Sequence, residues 1–180
     1  MLPFQYRFLY EIGLLPRTVT AFLSIYGTKE VPGTGNSSII MNWAKVLKIK
    51  AFVADSIAWC GLAMAWILLQ AGYGEALKSV TNYLWARDFL KFGLKVDIPM
   101  LGDVLVFERA GGFGHVGVYI AEDDLCYHVG GGNQSDNVNI IRIEKKRLLG
   151  ARRYPFKNAL AASVKRYFVD AKGVISTNEA

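Results

Sequence analysis

The hydrophobic pattern of this chain changes its period about halfway along the 180 residues. In the first half, apolar residues recur every three or four positions, as in "LLPRTVTAFLSIYG", which is typical of helices that bury one face. In the second half they alternate or form short runs, as in "HVGVYIA", which is typical of strands. Helices first and strands second predict an α+β fold, with N-terminal helices packed on a C-terminal antiparallel β-sheet.

The same patterns predict individual elements. Ser37 is expected to cap a helix whose buried stripe is Ile39, Trp43, Val46 and Leu47. Strands are expected in the second half, joined as an antiparallel meander, in the segments "DVLVFER", "HVGVYIA", "LCYHVG", "NVNIIRI" and "LLGARRYP".

The length predicts one domain over residues 1–180, with its core at about 15–155 and an amphipathic helix at 156–171. The longest apolar run, Ile57 to Leu69, is shorter than the roughly 20 residues that a transmembrane helix needs. The N-terminal stretch "MLPFQYRFLYEIGLLP" has no basic start and no small-residue cleavage site. We therefore expect a protein made in the cytoplasm without a signal peptide.

The composition favours an anionic partner. Lys and Arg number 21 against 15 Asp and Glu, which gives a net charge of +6. The basic cluster "IEKKRLLGARR" is either a solvated surface or a contact with an anionic cell-envelope surface. No phosphate loop, zinc-finger spacing or RNA-binding aromatic signature is present, so no nucleic-acid partner is expected. Two cysteines are too few for a disulfide framework or a cysteine zinc site, and we expect a monomer with no metal and no cofactor.

The stretch "DSIAWCGLAMAWILL" puts a thiol, Cys60, at the start of an otherwise apolar helix. With Asp55 or Ser56 as the cap region, Cys60 falls in or near the first turn. Backbone N–H groups there favour a thiolate and suit an oxyanion hole, so Cys60 is a candidate nucleophile. The alternative is an inert buried thiol, which is how we interpret Cys126.

A thiol nucleophile needs a base, and the sequence has two histidines, His115 and His128. His115 begins a strand and follows the glycine-rich "AGGFG", which leaves room for a ligand. This position favours His115 as the base, and it makes Gly114 a candidate substrate contact.

The third member should lie on the neighbouring strand. A tight turn at Asp123-Asp124 would set residue 119 opposite 128 and residue 115 opposite 132. This register favours Asn133 as the residue that orients His115, with His128 and Gln134 as alternatives.

Several motifs come in the order and spacing of one hydrolase family. They are "IYGTKEVPGTGNSSIIMNWAK", "DSIAWCGLAMAWILLQAGY", "PMLGDVLVFER", "GHVGVYIAE" and "GGGNQSDNVNI". Over about Leu15 to Pro155 the chain resembles the papain-like peptidoglycan hydrolases of the NlpC/CHAP superfamily, in particular a single-domain phage or prophage endolysin type. His128 departs from the apolar residue that we associate with its position, which leaves a Cys-His-His arrangement open.

The resemblance implies a papain-like fold, with Cys60 as nucleophile, His115 as base and Asn133 as a less secure third member. It implies cleavage of an amide bond in the peptide part of peptidoglycan, in the periplasm or cell wall, without a metal. Trp59 and Glu30 are candidate substrate contacts, against the alternatives of core packing and loop geometry. The rival functions are a secreted antibacterial amidase effector, a non-catalytic wall-binding or virion protein, and an acyltransferase.

Overall fold

Helices fill the first half of the chain and strands the second in the computed structural model, which describes residues 1–156, 160–170, 173–177 and 179. The predicted α+β class is confirmed. The α-helices are α1 (Phe8–Glu11), α2 (Arg17–Ile25), α3 (Ser38–Val46), α4 (Cys60–Gln70) and α5 (Gly74–Leu77). Within the described ranges, no helix has the length and apolar character to cross a lipid bilayer.

Six strands of the described chain form one antiparallel sheet in the order β1-β6-β2-β3-β4-β5. They are β1 (Leu94–Val96), β2 (Val104–Glu108), β3 (Gly114–Glu122), β4 (Cys126–Gly131), β5 (Asn139–Glu144) and β6 (Leu148–Arg153). The meander prediction holds from β2 to β5 but is wrong for β6, which pairs with β2. This pairing gives hydrogen-bond partners to the backbone groups of β2 on the edge away from β3. Arg147, which directly precedes β6, stabilises the pairing by donating two hydrogen bonds to the Glu108 carbonyl at the end of β2.

The two faces of the sheet bury different side chains. Val104, Val106 and Val116 belong to the large core cluster that also contains the helices. The alternate residues Leu105 and Phe107 belong to a second cluster on the opposite face, together with Tyr119, Val129, Ile143 and Ala151. Because His115 is the register partner of Phe107, its side chain lies on this second face.

Helix α3 forms where predicted, but its buried face is rotated. Ile39 and Val46 are exposed, whereas Ile40 and Trp43 are buried. The stack of Trp43 on Trp66, with ring centroids 6.0 Å apart, orients the helix.

The predicted helix over residues 156–171 is wrong for residues 160–170, which form turns and a short bridge to β3. Residues 157–159 and 171 lie outside the described part. The backbone N–H of Glu122 donates to the Tyr167 carbonyl at 2.8 Å, and that of Val169 donates to the Glu122 carbonyl at 3.0 Å. These bonds to the end of β3 replace the bonds that a helix would make within itself.

Candidate active site

Cys60 is the first residue of α4, as the sequence predicted. Its side chain is buried, and the backbone N–H groups of Val116 and Gly61 act to lower the pKa of its thiol. The sulfur therefore lies at the backbone of the residue that follows His115. The predicted cap is wrong, because the carboxylate of Asp55 accepts hydrogen bonds from the backbone of Val31 and Ser37 instead.

His115 is the second residue of β3 and is fully buried. Its Nε2 lies 2.9 Å from Oε1 of Gln134. The amide nitrogen of Gln134 donates to the carbonyl oxygens of Val129 at 3.3 Å and Asn139 at 2.8 Å, so the amide oxygen must face His115. This network assigns the proton of the neutral imidazole to Nε2, which leaves Nδ1 with a lone pair.

Nδ1 of His115 has no hydrogen-bond partner among the described residues. Buried polar atoms are nearly always paired, and a catalytic role is one explanation for an atom that is not. An imidazole anchored through one nitrogen, with the other nitrogen bare, is arranged as a base.

The register between β3 and β4 differs from the predicted one. Tyr119 lies opposite Val129, not His128, and a bulge follows between Tyr119 and Ala121. A shift of one residue along a strand moves a side chain to the other face. The turn is longer than predicted, because Glu122 pairs with Tyr127, and together with the bulge it sets the register near His115 one residue away from the predicted one.

Gln134, which the sequence offered as an alternative, is the residue that contacts His115. Asn133, the favoured third member, occupies the turn with a left-handed φ of 56° and is not the partner of the imidazole. The other alternative, His128, lies elsewhere: its Nδ1 is 3.1 Å from the hydroxyl of Tyr6, and its Nε2 is 2.8 Å from the carboxylate of Asp123. The Asn133 and His128 assignments are corrected in favour of Gln134.

The predicted substrate contacts have different outcomes. Trp59 is fully buried and packs against Trp43, so in this structure it cannot touch a substrate. Its indole N–H donates to the carboxylate of Glu30, which is half-buried, and burial raises the pKa of that carboxyl group. Gly114 is half-buried at the start of β3, and its role as a contact stays a prediction.

Burial sets the charge state of the two reacting groups. It raises the pKa of the Cys60 thiol, against the opposing effect of the Val116 and Gly61 N–H groups. It lowers the pKa of His115 to about 4. At neutral pH the Cys60 thiol and the His115 imidazole are therefore both uncharged.

Sequence reasoning missed a buried carboxylate and its contacts with two arginines. Glu179 is fully buried, and its carboxylate lies 2.8 Å from Arg147 and 3.6 Å from Arg109. Arg147 belongs to the basic cluster that we interpreted as surface, and no sequence pattern marked Glu179. Across the described ranges, no group of three or more His, Cys, Asp or Glu side chains could hold a metal ion.

No protein-family model matches the chain, and no curated protein matches it in sequence. Membership of the NlpC/CHAP superfamily therefore stays a proposal.

Proposed function

We propose that this protein is a peptidoglycan hydrolase with a papain-like fold of the NlpC/CHAP type. In this proposal it cuts an amide bond in the peptide part of the bacterial cell wall. The proposal rests on the geometry of His115. Its Nε2 is hydrogen-bonded to Gln134, and its Nδ1 has no hydrogen-bond partner among the described residues. The Cys60 sulfur lies at the backbone N–H of the next residue, Val116.

The chemistry follows from these groups. In this proposal the two side chains come into contact when the site opens. Nδ1 of His115 then takes the proton of the Cys60 thiol, and the sulfur attacks the amide carbonyl. Backbone N–H groups at the start of α4 stabilise the oxyanion. The C–N bond breaks as His115 returns the proton to the departing amine, which leaves a thioester. Water then attacks the thioester, passes a proton to His115 and releases the acid and the thiol.

The cell-wall substrate is supported by the ordered motifs of the sequence and by the net charge of +6, which suits an anionic polymer. The role that fits best is that of a phage or prophage endolysin made in the cytoplasm. A secreted antibacterial amidase would use the same site.

A second candidate is a non-catalytic wall-binding protein on the same fold. The observation that favours it is the burial of both reacting groups, since Cys60 is 5% exposed and His115 is 0% exposed. A reaction requires that this site open to solvent.

Purified sacculi distinguish the two candidates. We expect the wild-type protein to release soluble fragments, and mass spectrometry of the new termini to identify the bond. Cys60→Ala and His115→Ala should each abolish release, because each removes a reacting group. Cys126→Ala is the matched control, since it also removes a buried thiol but leaves this site intact. Undiminished release by Cys60→Ala would refute Cys60 as the nucleophile, and binding of the wild-type protein to sacculi without any release would favour the wall-binding protein.

A further inference from the structure

An open cavity lies between the start of α2 and residues 154–156 and 160–164. Its volume is about 530 Å³, within the range of roughly 300–1,000 Å³ that is usual for small-molecule sites. Gly72, which lines it, follows the end of α4, whereas Cys60 is the first residue of that helix. Because α4 spans 11 residues, or about 16 Å, the cavity and the candidate active site lie at opposite ends of this helix.

The wall of the cavity is mainly apolar and aromatic. The rings of Tyr73 and Tyr154 are stacked with their centroids 3.8 Å apart, and the ring of Phe156 lies edge-on to Tyr154 at 5.3 Å. Leu14 and Leu160 also line the cavity, and they are 77% and 40% exposed. A hydrocarbon ligand would remove these side chains from water, which stabilises the bound state.

Arg17 is the one charged side chain among the described residues that line this cavity. Its guanidinium lies against the backbone of Gly72, because a Cβ added there would meet Nη1 of Arg17 at 3.3 Å. Within the described part of the chain, no carboxylate forms an ion pair with Arg17. An exposed cation without a counterion at an apolar cavity is complementary to the anionic head of an amphiphile.

An adjoining, smaller cavity adds no competing charge. It shares Tyr73 and Tyr154 with the first cavity, and its own wall includes Asp103 and Arg153. Arg153 donates to both carboxylate oxygens of Asp103, at 2.8 and 2.7 Å. These two charges neutralise each other, so Arg17 sets the preference of the cavity for the charge of a ligand.

We propose that this cavity binds a single-chain amphiphile of the fatty-acid type. Its hydrocarbon chain lies against the aromatic wall formed by Tyr73, Tyr154 and Phe156, and its carboxylate pairs with Arg17. Because the cavity is separate from Cys60 and His115, the ligand binds whether or not the protein cleaves peptidoglycan.

Isothermal titration calorimetry with the wild-type protein tests which ligand chemistry is bound. Monomeric decanoate should bind at one site per chain, and acetate, which lacks the chain, should not bind. 1-Decanol should bind about fivefold more weakly than decanoate, because it lacks the ion pair with an exposed arginine. Decyltrimethylammonium should bind more weakly still, since its charge repels Arg17. No saturable binding of decanoate, or equal affinity for decanoate and 1-decanol, would overturn the proposal. Sedimentation with phosphatidylglycerol vesicles by a protein that does not bind decanoate would also overturn it, in favour of a membrane contact.

Variants test where the ligand lies. Arg17→Gln should weaken decanoate binding about fivefold and leave 1-decanol binding unchanged. Arg7→Gln is the matched control, since Arg7 is also exposed but does not line the cavity, and it should change neither affinity. Ala161→Trp should abolish the binding of both ligands by filling the cavity, and Leu14→Ser, at an exposed position, should weaken both. Wild-type decanoate affinity in Arg17→Gln would refute the head-group contact. Wild-type affinity in Ala161→Trp and Leu14→Ser, with native circular dichroism, would refute the cavity as the site.

Discussion

Gln134 decides which nitrogen of His115 carries the proton. Its amide nitrogen is occupied by the carbonyls of Val129 and Asn139, so its oxygen accepts the proton on Nε2. We expect Gln134→Ala to lower kcat on sacculi by on the order of tenfold or more, because the imidazole then loses its tautomer and its orientation.

Asn133→Gly is the matched control, since glycine accepts the φ of 56° found at that position. It should change kcat little. The pH profile of kcat should also shift in Gln134→Ala and not in Asn133→Gly. If Asn133→Gly lost more activity than Gln134→Ala, the assignment of Gln134 would be wrong and Asn133 would be the residue that orients His115.

The residues differ in how far the sequence could place them. The positions of Cys60 at the start of a helix and of His115 near the start of a strand were predictable, because such starts leave local signals in the sequence. The choice between Asn133 and Gln134 was not predictable, because it depends on the register of β3 and β4. A turn longer than expected and the bulge between Tyr119 and Ala121 together set that register, and no residue pattern marked either. Glu179 could not be found either, since its role depends on contacts with Arg147 more than thirty positions away in sequence.

Gly132, in the turn after β4, allows that turn to pack closely against the start of helix α4. A Cβ added at Gly132 would meet the ring of Trp59 and, at 2.5 Å, the Cβ of Ala63. The turn after β4 therefore rests directly on the residues around Cys60. Gly132→Ala should destabilise the protein by about 1–3 kcal/mol, because well-packed neighbours must move, and it should lower turnover by displacing the start of α4.

Urea unfolding measures this cost. Gly13→Ala is the control, since a Cβ at Gly13 would meet nothing within 4 Å, and its free energy of unfolding should stay near the wild-type value. A Gly132→Ala protein with wild-type stability and turnover would show that the contact between the turn and α4 does not position the thiol.

The elements themselves were mostly predictable, and their partners were less so. Alternation in the sequence identifies β2 to β6, but it does not reveal that β6 returns to β2, because Arg147 and the edge of β2 determine that pairing. The spacing of Leu160, Val164 and Phe168 is helical, yet the segment bonds to the end of β3 at Glu122. Tertiary contacts outweigh a local pattern there, as they outweigh propensity in general.

Across the whole molecule, buried carboxylates tie the later segments to the sheet. Glu122, at the end of β3, is 1% exposed and accepts hydrogen bonds or ion pairs from Tyr119, Lys145 and Arg166. Burial alone would raise the pKa of Glu122, but the bonds from Arg166, Lys145 and Tyr119 outweigh it and lower the pKa to about 2. One carboxylate therefore joins β3, the segment after β5 and residues 160–170.

The sign of the pH effect follows from that pKa. The folded protein binds the proton less readily than the unfolded chain, so Glu122 stabilises the fold above its ordinary pKa of 4.5, and this stabilisation is lost as the pH falls towards about 2. Glu122→Gln should lower the free energy of unfolding at neutral pH by about 2–3 kcal/mol, since it removes bonds to charged groups. The difference from wild type should shrink as the pH falls below about 4.5.

Comparing the two proteins at each pH cancels the other titrating groups and the general repulsion of a cationic chain. Glu75→Gln, which removes an ion pair whose carboxylate side chain is 89% exposed, should follow the wild-type curve throughout. A constant difference between Glu122→Gln and wild type from pH 7 to pH 2 would show that the charge of Glu122 does not join these segments.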